Sequence, residues 1–471
     1  MKRKEFNRLS VLAITSLLFP PFLQAAIAVS KRPSPTQRKF VSKAVDELIE
    51  EIKRNISDNE LSQLFENCFP NTLDTTVFFE LHNGVPDTYV ITGDIDAMWQ
   101  RDSSAQVNPY LPLCAKDKEL SLMVEGLIRR QTRNILLDPY ANAFYKDASK
   151  ISQWKNDKTE MKPGVHERKW ELDSLCYCIR LAHRYWKITG NVSAFNETWL
   201  QAMKLAVATM KEQQRKNDKG TYHFQRVGNP HDTLINSGYG SDVKYTGMIC
   251  SAFRNSDDAT TYLYNIPENL FAVTALQQLA EMIQTVFPNE NFAKECLELA
   301  SEVEQAVKDY GIAHHKDFGK IYAYECDGKG NYLFMEDAGI PGLITIPYLG
   351  YGNMNDEIYQ RTRSFALSKD NPYFFRSEKY EGTGSPHLDW KGNMIWHLGI
   401  ISRAITSVND EEIKYCLHLL KTTHAGKGFM HEGFRKNNSN DFTRPWFAWA
   451  NSYFGELILK IYADKKHLLQ Q

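Results

Sequence analysis

Apolar residues recur at helical spacing along nearly the whole chain, and this pattern limits the possible folds more than any other feature. Phe40, Val41, Val45, Leu48, Ile49 and Ile52 trace one helical face. Leu172, Leu175, Ile179, Ala182 and Trp186 trace another, and Leu270, Val273, Leu276, Leu279 and Ile283 a third. Phe292, Cys296, Leu299, Val303 and Val307 follow directly. Ile395, Leu398 and Ile401 lead to Ile413, Leu417 and Leu420, and Phe447, Phe454, Leu457, Ile458 and Ile461 close the series. Short polar turns join neighbouring windows. In ITGNVSAF (188–195), Gly190 is placed to end a helix. In VFPNENF (286–292), Pro288 is a breaker, and SVNDEEI (407–413) is a third join. The spacing predicts about a dozen helices in hairpin pairs. Strand signals are few, at 76–81, 221–227 and 320–327, and read as minor β excursions between helices. No Gly/Ser-rich or Pro-rich linker divides residues 35–467, so a single domain is expected. Helical hairpins that close on themselves would form an all-α toroid, with its loops at one rim around a central cavity.

A net charge of −1 over 471 residues gives no electrostatic case for nucleic acid or an anionic membrane. The first eight residues are basic, residues 9–23 are apolar, and the small residues of QAAIA follow. This order predicts a secretory signal over residues 1–28 and an exported protein, periplasmic or extracellular. No later stretch is long and apolar enough to predict a membrane span. Export permits disulfides, but the eight scattered cysteines form no CxxC, and Cys176 with Cys178 is a poor zinc spacing. They read as buried thiols with at most one bridge.

Five polar blocks fall between the helices: TGDIDAMWQRDSSAQ (92–106), HERKWELDS (166–174), FRNSDDATTYLYNIPENLF (253–271), GSPHLDWKGNMIWHLG (384–399) and MHEGFRKNNSNDFTRPWFAWANS (430–452). Each mixes carboxylates or His with aromatic or basic residues ahead of a helix. Loops that converge on one rim would bring them together. Metal chemistry is not signalled: HExxH is absent, and Asp94 and Asp96 lack the Gly and Glu of an EF-hand loop. Neither GxSxG nor a strand-borne GxGxxG occurs, so neither a serine elbow nor a nucleotide cofactor is expected. Carboxylate chemistry remains. Asp257 and Asp258 are adjacent, a pattern that also serves plain helix capping. Glu432 stands among Phe429, Met430 and Phe434, which is not a typical solvated face. Glycoside hydrolysis needs two carboxyls across a sugar ring, one protonated and one ionised. Arg bonds to vicinal hydroxyls and Trp as a stacking wall would complete such a site. A sugar-binding protein without catalysis and a toroid glycosidase of another specificity fit the same composition.

The blocks at 92–106, 253–273, 322–351 and 431–458 resemble, in order and over most of residues 40–461, glycoside hydrolase family 125. The resemblance implies an (α/α)6 barrel. It also implies a metal-independent exo-α-1,6-mannosidase that inverts configuration, needs no cofactor and acts on α-mannoside oligosaccharides such as N-glycans or mannans. It places the general acid on Asp258, with Asp257 the close alternative, and the general base on Glu432. It assigns mannose binding to Asp94, Trp99, Arg101, Asp102 and Asp257, with Arg254, His387, Trp396, His397, Arg444 and Trp446 as further candidates.

Overall fold

The computed structural model describes residues 30–228 and 232–470; the signal expected over residues 1–28 lies outside them. Twelve α-helices of eight or more residues occur among the described residues: α1 (Lys43–Lys53), α2 (Asn59–Cys68), α3 (Gln100–Val107), α4 (Lys118–Leu137), α5 (Leu172–Thr189), α6 (Glu197–Glu212), α7 (Ile266–Val286), α8 (Glu290–Tyr310), α9 (Glu357–Ala366), α10 (His397–Ile405), α11 (Asp410–Thr423) and α12 (Ala448–Asp464).

Burial sorts these helices into two rings. In α7, Leu270, Phe271, Ala272 and Val273 are buried in succession, as befits a helix covered on every side. In α1 only Val45, Ile49 and Ile52 are buried, the single stripe of an outer helix. The inner ring runs α3, α5 and α7, then α10 and α12, which packs back on α3. Between α7 and α10 the segment 336–349 takes the place of an inner helix. Its 3₁₀ turn Leu343–Thr345 packs on α10, and Tyr177 of α5 donates to the Ile340 carbonyl at 3.0 Å. The helices α1, α2, α4, α6, α8, α9 and α11 lie outside. The architecture is all-α, an (α/α)6 barrel with short strands.

The turns explain the hairpins. Gly190 caps α5 at φ +67°, in the left-handed region that favours glycine. The Asn289 side chain accepts from Phe292 N to start α8, and Asn409 accepts from Glu411 N and Glu412 N to start α11. The strands expected near 76–81 and 320–327 form, as Val77–His82 and as Gly319–Tyr322 with Glu325–Cys326. The strand expected at 221–227 does not: this stretch makes only an isolated bridge between Gln225 and Lys158. All eight cysteines are buried and unpaired, so the allowance for one bridge is not used. No helix of the described residues is long and apolar enough to cross a membrane.

Short strands lead into four inner helices: Met98–Trp99 into α3, Val165–Glu167 ahead of α5, Tyr264–Asn265 into α7 and Met394–Trp396 into α10. They anchor the segments that precede the inner-helix N-termini, and those segments build the site.

Candidate active site

The approaches to α3, α7, α10 and α12 surround a small pocket. Its floor is Arg101, on the first turn of α3 and almost fully buried. The guanidinium meets four carboxyls. Nη1 donates to Glu171 Oε2 at 2.8 Å and lies 3.3 Å from Asp173 Oδ2, at the start of α5. Nη2 donates to Asp257 Oδ1 at 3.1 Å, and Nε lies 3.6 Å from Asp102 Oδ2. One buried cation cannot hold all four as anions. Burial pushes Asp102 and Asp173 up to about 6 against the pull of Arg101, and raises Glu171 well above the usual carboxylate range. Part of the floor is therefore protonated carboxyl near neutrality.

One wall is the turn that carries Asp257 and Asp258. Asp257 adopts φ +70°, which turns its side chain into the pocket while Asp258 faces away from the floor. Burial raises the Asp257 carboxyl, but Lys169, Arg101 and His387 outweigh it and hold the group below its ordinary value. Lys169 Nζ also donates to the Asp257 carbonyl at 2.8 Å. Asp258 is buried, and its Oδ1 receives His387 Nδ1 at 3.1 Å. Burial disfavours the imidazolium. The Asp258 hydrogen bond and the charges of Asp258, Asp257 and Glu432 prevail and push His387 up to about 9. Near neutrality His387 is therefore a cation that donates to Asp258.

Glu432 forms the opposite wall, just ahead of the strand Gly433–Arg435. Arg444 Nε lies 3.5 Å from Glu432 Oε2, and Arg444 Nη1 donates to Asp94 Oδ1 at 2.9 Å. The backbone beneath is fixed by two histidines that burial keeps neutral. His431 N donates to His397 Nδ1 at 2.7 Å, and His431 Nδ1 donates to the Arg444 carbonyl at 2.8 Å. Trp99, Trp396, Phe447 and Trp449 close the remaining sides.

Several polar atoms of the lining have no hydrogen-bond partner among the described residues: Thr92 Oγ1, Trp99 Nε1, Arg101 Nε and Trp396 Nε1. Buried polar groups are rarely left so. Aromatic faces interleaved with unpartnered donors and acceptors suit a compact ligand that is apolar on its ring faces and polar around its edge, as a hexose is.

Of the residues that sequence reasoning assigned, Trp99, Arg101, Asp102, Asp257, His387, Trp396, Glu432 and Arg444 line this pocket. Asp258 and Arg254 line an adjoining cleft, where Arg254 Nε donates to Glu325 at 2.6 Å. Asp94 is exposed and reaches the site through Arg444. His397 is fully buried behind Glu432 and does not reach the pocket; its ring supports the His431 backbone and meets Thr423. Trp446 lies outside the lining and packs against Gly93, where a Cβ would stand 3.0 Å from the indole. Thr92, Asn255, Ser256, Phe447 and Trp449 line the pocket without having been singled out, and the carboxyls Glu171 and Asp173, also not singled out, pair with Arg101 beneath it. All lie in the five polar blocks. The unread signal was Lys169, Glu171 and Asp173, three charges set against the start of an apolar helix.

Comparison with known proteins adds a consistent set of likenesses. The model of the family described as metal-independent alpha-mannosidase (GH125) matches residues 58–459. The chain is 39% identical to the meiotically up-regulated gene 157 protein of Schizosaccharomyces pombe, over 94% of this chain and 90% of that protein. Among solved structures it is similar to a Streptococcus pneumoniae metal-independent alpha mannosidase, in a non-productive complex with alpha-1,6-mannobiose. That match has a TM-score of 0.86 and 37% identity, and it covers 91% of this chain and all of the other. A bacterial glucoamylase complexed with acarbose aligns over 90% of this chain and 60% of its own, with a TM-score of 0.52 and 11% identity, a likeness of fold alone. Among the described residues, no group of three or more His, Cys, Asp or Glu is arranged to hold a metal ion.

Proposed function

Since the chain belongs to glycoside hydrolase family 125, the metal-independent α-mannosidases, we propose that it releases terminal α-1,6-linked mannose from α-mannoside oligosaccharides by inverting acid/base hydrolysis. One observation carries the reading. Glu432, beside Arg444, lines the pocket, and Asp258, with its protonated partner His387, stands at the boundary between that pocket and the adjoining cleft. A pocket closed at its floor by Arg101 and on its sides by Trp99, Trp396 and Trp449 admits a chain end and not a chain interior, which favours exo action.

The terminal mannose sits on the floor, its hydroxyls meeting Asp102, Asp257, Arg101 and the indole N–H groups of Trp99 and Trp396. Asp258 is the general acid. The one proton the pair shares moves from His387 to Asp258 and from Asp258 to the glycosidic oxygen, as the C1–O bond breaks and the electron pair leaves with that oxygen; His387 is left neutral and Asp258 ionised. Glu432 is the general base. It removes a proton from a water that attacks C1 on the opposite face, so α-linked mannose leaves as β-mannose. Arg444 and Asp94 hold Glu432 in place. Asp257 is not the acid in this reading: Arg101 and Lys169 are cations that favour its carboxylate and suit it to accept from sugar hydroxyls.

The test is hydrolysis of α-1,6-mannobiose followed by proton NMR. β-Mannose is expected first, with the α anomer growing only by mutarotation. Initial release of α-mannose would replace inversion with retention, and no release from any mannoside would remove the reading. We further propose that residues 1–28 direct export. Amino-terminal sequencing of the protein from culture medium or periplasm tests this, with cleavage expected near Ala26–Ala28.

A further inference from the structure

The closed pocket has a neighbour that the mechanism uses only at its edge. A larger cleft opens on the far side of the Asp257–Asp258 turn. Two chain segments separate the spaces, and successive residues face opposite ways. Asn255, Ser256 and Asp257 face the pocket, while Arg254 and Asp258 face the cleft. Likewise His387 faces the pocket, while Pro386 and Asp389 face the cleft. The Asp258–His387 hydrogen bond joins a residue of the cleft to a residue of the pocket.

Such a partition fixes where the rest of the substrate goes. The group that protonates the glycosidic oxygen must stand beside it. With the terminal sugar in the pocket and Asp258 at the partition, the scissile bond spans the partition and the leaving sugars enter the cleft. The cleft walls alternate polar and apolar groups: Arg254, Thr261, Tyr373 and Asp389 beside Leu333 and Met335. Tyr373 Oη donates to Asp389 Oδ2 at 3.2 Å.

The rim carries one further feature. Of the nine tryptophans, Trp390 alone is exposed, at 76%. It follows Asp389 in a tight turn closed by Asp389 N to the Pro386 carbonyl at 2.9 Å and Lys391 N to the Leu388 carbonyl at 2.9 Å. The turn that places His387 against Asp258 thus also mounts an exposed indole, one residue beyond the cleft-lining Asp389 and with Lys391 Nζ 5.3 Å from its ring centroid. An indole held in water on a fixed turn is a platform for an apolar ring face.

Resting on the mannosidase reading, we infer that the cleft between Arg254 and Asp389, with Trp390 next to it in the chain, binds the leaving-group portion of an oligomannoside, including at least one sugar beyond the one that carries the scissile oxygen. The enzyme then selects extended mannosides over disaccharides, with Trp390 stacking on a distal ring.

The test compares kcat/KM on α-1,6-mannobiose and on linear α-1,6-mannotriose and mannotetraose for the full chain, Trp390→Ala and Trp390→Phe. Wild type is expected to favour the longer sugars by at least tenfold. Trp390→Ala should reduce that ratio to within about threefold of unity, and Trp390→Phe should restore most of it. The side chain is exposed, so an unchanged melting curve is expected and separates this effect from misfolding. Equal kcat/KM on all three sugars in wild type overturns the inference and leaves the mannosidase reading standing. A preference that survives in Trp390→Ala overturns it too. Failure to hydrolyse any of the three removes the mannosidase reading and the inference with it.

Discussion

Glu432 lines the pocket and Asp258 stands at its boundary with the adjoining cleft, and each has a single cation as nearest partner, but the two cations differ in kind. His387 beside Asp258 carries a proton that it loses near pH 9, within reach of enzyme chemistry. Arg444 beside Glu432 cannot give up a proton at any working pH. The first wall stores a proton and can deliver it. The second can only orient the group that receives one. Asp257, adjacent in sequence to Asp258, belongs with the second kind, because Arg101 and Lys169 favour its charged form. The partner thus distinguishes an acid from a base where the carboxyl itself does not.

The sharpest way to break this comparison is to neutralise each carboxyl in turn. Asp258→Asn and Glu432→Gln are each expected to lower kcat on α-1,6-mannobiose by about 10³-fold, within the span of general acid–base effects. A substrate whose leaving group needs no proton, such as a 2,4-dinitrophenyl mannoside, should then separate them. Asp258→Asn should recover most of its rate, while Glu432→Gln should stay slow. Recovery by Glu432→Gln instead would exchange the two roles. Recovery by Asp257→Asn, with Asp258→Asn slow on both substrates, would move the acid one residue.

Asp257→Asn should otherwise behave as a binding variant. Losing a charge-assisted hydrogen bond costs about 1.5–3 kcal/mol, or roughly 10- to 100-fold in kcat/KM. Most of this loss should appear in KM, and the pH limits should stay where they are. A loss confined to kcat would argue against a role in holding the sugar.

His387→Gln probes the stored proton. In the wild type the imidazole keeps its proton until pH rises through about 9, so kcat/KM should fall on the alkaline side near that value. Without His387, the acid lacks the partner that extends this range. The alkaline limb should move down by at least about one pH unit, with activity lost roughly tenfold at pH 8 and less at pH 5.5. An unmoved limb would show that the shared proton is not the one delivered.

Much of this arrangement was legible in the sequence, and the parts that were not have physical reasons. Helix spacing and short turns exposed the barrel because inner and outer helices differ in how far round they are apolar, as α7 and α1 show. Glycine at 190 and asparagine at 409 announced their turns because left-handed backbone and N-caps restrict residue choice. The strand expected at 221–227 failed because alternation alone does not supply a pairing partner; the segment finds only Lys158. The polar blocks located the site, but a block does not say which way each side chain points. His397 and Trp446 carry suitable chemistry yet support the base wall from behind. The turn at Asp257, with its positive φ, decides that neighbouring aspartates face different spaces, and nothing in the letters Asp-Asp reveals that.

The smallest expected effect tests how the base wall is braced. Gly93 has φ +133°, a conformation side chains rarely adopt, and a Cβ there would stand 3.0 Å from two carbons of the Trp446 ring. The next residue is Asp94, which holds Arg444, which in turn holds Glu432. Gly93→Ala should therefore lower stability by about 1–3 kcal/mol, read as a fall in the melting temperature. It should lower kcat a few-fold by loosening Glu432, and it should leave the alkaline limb in place because His387 lies on the other wall. Two sources of strain are present, the backbone and the indole, and a double variant separates them. If the indole contact dominates, adding Trp446→Ala should recover stability lost in Gly93→Ala. If the backbone dominates, the two losses should add. Either way the change should remain on the Glu432 side, and a shift in the alkaline limb would mean that the two walls are not independent.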